Sequence, residues 1–235
     1  MGDRILVVVP TYNERENLEA LHADVGRRLP EADLLVADDA SPDWTGALAD
    51  DLAARDTRVR VLHRPAKLGL GTAYRDAFRL ALHEGYDYVF EMDADLSHAP
   101  EDLPRLLAAA QGGADLAIGS RYVPGGGTRN WGGWRKLISR GGSCYARTIL
   151  GVGVRDLTSG FKCFRKSALL ALDLEGLRSE GYAFQIEVTY RLLRRGMRVV
   201  EVPIVFVDRR VGLSKMSRRI ILEAIAVVWR LRGSG

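Results

Sequence analysis

The chain has 235 residues, 47% of them hydrophobic and 27% charged, with a formal net charge of +4. That length accommodates one large α/β domain with a full core and is short for two ordinary domains, while no apolar run approaches the roughly 20 residues of a membrane span. The positive balance suits a partner bearing phosphates, whether a nucleotide, an anionic lipid surface or a nucleic acid. Cys144 and Cys163 show neither a CxxC nor a metal spacing and read as reduced thiols of an intracellular protein. A strand that begins after four residues leaves no room for a signal peptide, and Leu6 stands where a myristoylation signal needs Ser or Thr.

Ile5 to Val9 is continuously apolar and mostly β-branched, the pattern of a central parallel strand covered on both faces, and it ends in Pro10-Thr11-Tyr12-Asn13-Glu14. The next helix carries Leu18, Leu21, Val25 and Leu29 on one stripe and is predicted to stop near Pro30. Leu34 to Ala37 is a second strand, closed by Asp38-Asp39-Ala40-Ser41-Pro42-Asp43, and a helix follows with Leu48 and Leu52 inward. Val59 to His63 is a third strand, leading through Lys67-Leu68-Gly69-Leu70-Gly71 into a helix with Tyr74, Ala77, Phe78, Ala81 and Leu82 at helical spacing. Tyr74 stands where a dinucleotide-binding loop would place its third glycine, so glycines that let a helix pack closely explain Gly69 and Gly71 better. Tyr86 to Phe90 reads as a buried strand closing in Glu91-Met92-Asp93-Ala94-Asp95-Leu96-Ser97-His98. Such alternation argues for right-handed βαβ units, hence an α/β, Rossmann-like fold with a mainly parallel sheet and helices on both faces.

Pro100 starts a helix bearing Leu103, Leu106, Leu107 and Ala110, and Leu116 to Ile118 is a further strand ending in Gly119-Ser120-Arg121-Tyr122. Gly125 to Trp134 is too glycine-rich and irregular to pack as an element and reads as a mobile loop at the site. A helix is predicted from about Arg135 to Leu150, a loop over Asp156 to Phe161, and another helix around Phe184 to Arg195. Val199 to Val207 reads as one strand in which Pro203 marks an edge or a bulge. From Met216 to Arg232, Ile220, Ile221, Ala224, Ile225, Val228 and Leu231 share a helical face bracketed by arginines; that helix either packs on its own domain or lies in a membrane interface. The expected organisation is a domain over 1–215 followed by this amphipathic helix over 216–235.

The chemistry gathers at strand ends. If the extended conformation persists, Asp93 and Asp95 leave the same side of the backbone, and two converging carboxylates make most sense around a divalent cation completed by waters and substrate phosphates. An acidic surface turn is the plainer alternative for this stretch taken alone. Glu14, Asp38 with Asp39, and Asp93 with Asp95 are expected along one sheet edge, where ligands of α/β sheets bind. There Tyr12 can stack on a base while a carboxylate accepts from base N–H groups or ribose hydroxyls. His98 is expected to order the loop rather than to ligate a hard cation, and Phe161 to line an entrance or to pack.

Five linked motifs carry a resemblance: Pro10 to Glu14, Asp38 to Asp43, Asp93-Ala94-Asp95, Gly119 to Tyr122, and Arg209 to Lys215. Their order and spacing resemble the inverting GT-A glycosyltransferases of family 2, and Asn130 to Ser139 with Thr158-Ser159-Gly160-Phe161 is similar to the branch that makes polyprenyl-phosphate mannose. The resemblance implies that Pro10, Tyr12, Glu14, Ala37 and Asp39 hold the guanosine of GDP-mannose. It implies that Asp93 and Asp95 bind Mg²⁺ or Mn²⁺, with the backbone at Ala94 close to the nucleotide; Ser97 stands where some relatives have a Gln ligand, and a hydroxyl is the weaker one. Arg121, Arg135 and Ser139 would meet the phosphate of a polyprenyl-phosphate lipid, and Arg209 with Lys215 would close over the donor diphosphate. Asp95, Arg121, Arg209 and Lys215 would thus carry catalysis. Glu187 sits where many relatives keep a base, yet an acceptor phosphate is already an anion, so positioning or a salt bridge to Arg191 suits it equally. Trp131 and Trp134 would touch lipid or anchor their loop, and Arg191, Arg194, Arg195 and Arg198 read as a solvated face. The resemblance implies a peripheral enzyme on the cytoplasmic membrane face with no nucleic-acid partner, with or without a membrane-anchoring partner protein. Rivals are a UDP-glucose-dependent polyprenyl-phosphate glucosyltransferase and a basic, non-catalytic nucleic-acid or lipid-binding module.

Overall fold

The computed structural model describes residues 2–208 and 218–233, with Arg135 and residues 218–224 described as backbone only. In chain order the strands are β1 (Ile5–Thr11), β2 (Ala32–Asp38), β3 (Val59–His63), β4 (Tyr88–Glu91), β5 (Leu116–Ser120), β6 (Gly127–Arg129), β7 (Lys162–Arg165), β8 (Val199–Pro203) and β9 (Val205–Val207). The helices are α1 (Arg15–Arg28), α2 (Thr45–Arg55), α3 (Leu70–Glu84), α4 (Leu103–Gln111), α5 (Gly133–Leu150), α6 (Lys166–Ala171), α7 (Gly181–Arg194) and α8 (Arg218–Gly233). A seven-stranded sheet runs in the order β3-β2-β1-β4-β7-β5-β8, and β6 pairs with β9 in a separate two-stranded ribbon.

Strand periodicity divides the core. Ile5, Val7 and Val9 of β1 face α1, α2 and α4, whereas Leu6 and Val8 face the cluster built from α3, α5, α6, α7 and α8. Both faces are therefore covered, which is why β1 and β2 are apolar at almost every position. On the second face Tyr74 of α3 stacks between Phe78 and Phe184, with ring centroids 6.0 and 5.9 Å away. That stack fixes α7 against α3 beneath the edge where the strands end.

The structure departs from the sequence expectations at three places. Residues 127–129, assigned to a mobile loop, form β6, whose partner is β9 in parallel register from Gly127↔Val205 to Arg129↔Val207. The strand expected over Val199–Val207 breaks after Pro203: β8 pairs only with β5 at the sheet edge, where proline's missing N–H costs nothing, and β9 joins the ribbon. Ile204 between them donates its N–H to Ser120 O (3.0 Å) and accepts from Gly127 N–H (2.9 Å). The antiparallel strand β7, unforeseen, inserts between β4 and β5. Of the two placements considered for the last helix, packing on the domain is seen for its described part: α8 lies on α5 and α7, with Val228 and Leu231 of the apolar face buried in the core and Ile225 39% exposed. Among the described residues no helix is long and apolar enough to cross a membrane. Both cysteines are free, Cys144 exposed and Cys163 buried.

Candidate active site

The ends of β1, β2 and β4 and the loop before β7 enclose a cleft of about 320 Å³. Non-glycine residues in the left-handed region mark the turns out of these strands, Asn13 (φ 61), Ala40 (φ 52) and Leu96 (φ 59). Left-handed backbone is costly for such residues and persists where the surroundings impose it. Pro10, Tyr12, Glu14 and Asp39 line one end of the cleft; Asp93, Ala94 and Asp95 line its middle; Thr158, Gly160, Gly181, Tyr182 and Gln185 line the other side. Ala37, expected to touch a nucleoside, is fully buried in β2 and is not among the lining residues.

Two neighbouring carboxylates take different tasks. Asp38 accepts from Thr11 Oγ1 at 2.9 Å and from the Ser41 backbone at 3.0 Å, and so ties β1 to its own turn. Asp39 gives one oxygen to the buried Arg64 and the other to the backbone N–H groups of Leu68 (3.1 Å) and Gly69 (3.2 Å). It therefore shapes the loop that brings Lys67 to 3.8 Å from the centre of the Tyr12 ring, a cation–π contact inside the cleft. The same loop explains Gly69 and Gly71. Gly69 has φ 103, and Glu180 accepts the Gly71 N–H at 2.8 Å, so a carboxylate already sits at the N-terminus of α3 where a phosphate-binding loop would hold its ligand. A Cβ on Gly71 would lie 2.4 Å from the Ser179 carbonyl oxygen.

Asp93 and Asp95 reach the cleft by a different route from the one expected. The strand ends at Glu91 and the chain turns at Ala94 and Asp95, so both aspartates line the cleft from a turn and not from extended backbone. Asp95 is buried and accepts the Ser97 N–H at 3.1 Å, while the Asp93 side chain is 38% exposed. The imidazole of His98 stacks on Phe161 at 4.9 Å and its Nδ1 accepts the Asp93 N–H at 3.2 Å. Burial pushes His98 down to about 4 against the pull of Asp95, which leaves the ring neutral and able to accept. Ser97 is buried outside the cleft lining, and its Oγ has no hydrogen-bond partner. Two oxygen-donor carboxylates at a cleft fit a Mg²⁺-like ion that takes its other ligands from water and substrate phosphates. Among the described residues no group of three or more His, Cys, Asp or Glu gathers for a metal.

Beneath this floor lies a buried polar trio. Lys162 of β7 and Glu91 of β4 are fully buried and 3.9 Å apart, and Lys162 Nζ donates to both the main-chain and side-chain oxygens of Gln185. Burial raises Glu91 to about 7 and lowers Lys162 to about 8, each opposed by the other's charge. Glu187 is spent on structure: it accepts from Arg191 Nη2 at 2.7 Å and from the Ser179 N–H at 3.1 Å.

A second chamber of about 300 Å³ is lined by Arg121, Tyr122, Thr128, Trp131, Lys136 and Arg140, among others. Arg121 is held by a bidentate pair to the fully buried Asp156, Nε to Oδ2 and Nη2 to Oδ1 both at 2.7 Å, and Nη2 also donates to Thr158 Oγ1 at 2.9 Å. Burial opposes its charge, but Asp156 outweighs that and holds the guanidinium above its usual pKa. Thr158 lines the first cleft and Arg121 the second chamber, so the hydrogen bond between them joins the walls of the two spaces. Ser139 accepts from Tyr122 Oη at 2.6 Å. Beside the chamber, Trp134 and Leu137 of α5 are 74% and 62% exposed. The side chain of Arg135, and all of Arg209 and Lys215, lie outside the described residues. Sequence reasoning passed over Lys67, Asp156, Tyr182, Gln185, Lys136 and Arg140. Asp156 stood in a loop already singled out, whereas Gln185, mid-helix among apolar residues, gave no signal.

Residues 6–172 match the family described as Glycosyl transferase family 2. The chain is 53% identical to the polyprenol monophosphomannose synthase of Mycolicibacterium smegmatis, covering 98% of this chain and 88% of that protein. It is 52% identical to an undecaprenyl-phosphate mannosyltransferase of Micrococcus luteus, covering 97% and 93%. A dolichol-phosphate mannosyltransferase of Pyrococcus furiosus is 38% identical over 97% of this chain and 63% of its own length. Among solved structures, glucosyl-3-phosphoglycerate synthase of Mycobacterium tuberculosis in complex with Mn²⁺, UDP-glucose and phosphoglyceric acid shares the fold, with a TM-score of 0.73 at 21% identity over 99% of this chain and 80% of that one. With a family match across most of its length and relatives more than half identical over nearly all of it, the chain belongs to glycosyl transferase family 2.

Proposed function

We propose that the chain transfers mannose from GDP-mannose to a polyprenyl phosphate with inversion, giving a β-linked lipid phosphosugar. The observation that carries this reading is the shared wall: a carboxylate-bearing cleft and a cation-lined chamber meet at Thr158 and Arg121. A reaction between a sugar diphosphate and a phosphate needs that juxtaposition, since two anions must approach despite repulsion. The sugar donor is inferred from the names of the relatives, which specify mannosyl transfer to polyprenyl phosphates.

In this mechanism Tyr12, Glu14 and Lys67 receive the nucleoside, and Asp93 and Asp95 hold Mg²⁺ or Mn²⁺. The ion, when bound, supplies positive charge to the departing diphosphate. Arg209 and Lys215 close over the same phosphates, as their motif suggests. Lys136, Arg140 and Arg135 draw the acceptor phosphate into its chamber. Arg121, already committed to Asp156, orders the wall and adds a fixed positive potential. The acceptor oxygen is an anion near neutral pH and attacks without a base, consistent with a Glu187 engaged by Arg191. Trp134 and Leu137, flanked by Lys136 and Arg140, face the cytoplasmic leaflet and seat the chamber mouth on anionic lipid.

The test is transfer from labelled GDP-mannose to a short-chain polyprenyl phosphate with and without Mn²⁺. Product formation that stops on chelation is expected. Turnover of UDP-glucose with none of GDP-mannose would replace the mannosyl reading, and salt-resistant oligonucleotide binding without any sugar release would replace the enzyme.

A further inference from the structure

We propose that Gln185 is a donor-sugar residue, its side-chain amide donating a hydrogen bond to a hydroxyl of the hexose in the cleft. The inference rests on the donor reading above and adds the residue that grips the sugar. Gln185 is 2% exposed and lines the cleft from α7. An ammonium can only donate, so the contact from Lys162 Nζ to Gln185 Oε1 fixes which way the amide faces: oxygen toward Lys162, nitrogen away from it. That nitrogen is buried and has no hydrogen-bond partner. Native proteins rarely leave such a donor unmatched, and when they do a ligand is a common reason. Glu91 lies close enough for the amide to help hold its carboxyl down, but neither Glu91 oxygen makes a hydrogen bond of good geometry, and an amide nitrogen has two hydrogens to place.

The position of the nitrogen identifies what it serves. A Cβ built on Gly160 would meet Gln185 Nε2 at 3.5 Å and Asp93 Oδ1 at 3.7 Å, so the amide and the aspartate flank one residue without a side chain. The sheet order puts β2 and β1, with Asp39 and Tyr12, on one flank of Asp93, and β7, with Gly160 before it, on the other. A donor whose diphosphate lies at Asp93 and Asp95 and whose nucleoside lies over β1 and β2 has its hexose on the β7 side, next to the Thr158 wall. An amide N–H₂ has no lone pair for a metal ion and matches a hydroxyl oxygen. A site that hydrogen-bonds a sugar hydroxyl rejects analogues lacking it far more strongly than one that merely encloses it.

The test uses the full chain with Mn²⁺ and the variant Gln185→Met, which keeps volume and leaves Lys162 its main-chain acceptor at 3.1 Å. Binding of GDP is expected to change less than about twofold, which also reports an intact fold, while kcat/KM for GDP-mannose falls by roughly tenfold to thirtyfold. With 2-, 3-, 4- and 6-deoxy GDP-mannose, one analogue should be penalised in the wild type and not further penalised in the variant. Gln185→Glu, which keeps an acceptor for Lys162 and replaces the donor by a carboxylate oxygen beside Glu91, should lose the same coupling and serves if the Met variant does not fold. Equal penalties for every deoxy analogue in wild type and variants would overturn the inference alone, leaving the amide to serve Glu91. A wild type that binds neither GDP nor GDP-mannose with Mn²⁺ would overturn the donor reading and this inference together.

Discussion

Replacing Asp156 by Asn tests the wall between the two chambers. In the wild type the Arg121 side chain is 5% exposed and that of Asp156 is 0% exposed, and the carboxylate accepts from Nε, Nη2 and the Arg121 backbone N–H at 2.7, 2.7 and 2.9 Å. Asn keeps the shape but loses the charge and presents N–H₂ to one of those donors. At about 4 Å between charge centres and an effective dielectric of about 20, the lost attraction is roughly 4 kcal/mol, and breaking a buried pair from one side generally costs about 3–5 kcal/mol. For a chain of 235 residues that corresponds to a fall in Tm of roughly 6–20 °C. Urea unfolding followed by near-UV circular dichroism measures it. Glu175→Gln is the control, since Glu175 is 77% exposed in its contact with Arg79 and should change stability by less than about 1 kcal/mol. A loss below about 1 kcal/mol for Asp156→Asn, level with that control, would refute the assignment of Arg121 and Asp156 as the fixed frame of the wall.

Gly71→Ala drives a Cβ to 2.4 Å from the Ser179 carbonyl and should destabilise by about 1–3 kcal/mol in denaturant titrations, whereas Gly133→Ala, with nothing within 4 Å, should be near neutral. Asp95→Ala should abolish Mn²⁺-dependent transfer while costing only about 1 kcal/mol of stability for the lost Ser97 contact, a split read by activity and thermal melts together. Paired Trp134→Ser and Leu137→Ser substitutions should leave Tm unchanged and weaken sedimentation with anionic vesicles at least about tenfold, because both side chains are exposed. Burial lowers Lys162 to about 8 from its ordinary 10.5, so across that window the unfolded chain binds a proton the native chain lacks and stability rises with pH. The stability difference between wild type and Lys162→Met should therefore grow from pH 8 to 9.5 in urea titrations; a constant difference would mean that Lys162 titrates normally.

The parallel half of the sheet was legible because β1, β2 and β4 are buried on both faces and must be apolar at nearly every position. Strand β7 was not, because its first residue is a lysine. Only the fold shows that Lys162 is fully buried against Glu91 and Gln185, partners remote in sequence. The three residues of β6 were hidden for a related reason: they begin at the last of three successive glycines, which carry no strand signal, and the pairing with β9 is a tertiary event. At the site, residue type and strand-end position brought Tyr12, Glu14, Asp39, Asp93 and Asp95 to one cleft. What spacing does not encode is prior engagement: Asp39 with Arg64 and the Leu68 backbone, Arg121 with Asp156, and Ala37 sealed within its strand. Asp93 and Asp95 both line the cleft, but from a turn at Ala94 and Asp95 and not from the extended backbone expected.

Ile204 has a consequence for how a bulky acceptor enters. Its N–H is bonded to Ser120 and its carbonyl to Gly127, and its side chain crowds Gly119 so closely that a Cβ there would meet it at 3.1 Å. The ribbon behind Thr128 and Trp131 is thereby riveted to the rim of the main sheet and has no independent swing. That leaves the first turns of α5, where Trp134 and Leu137 are exposed, as the apolar side along which a long hydrocarbon tail would lie.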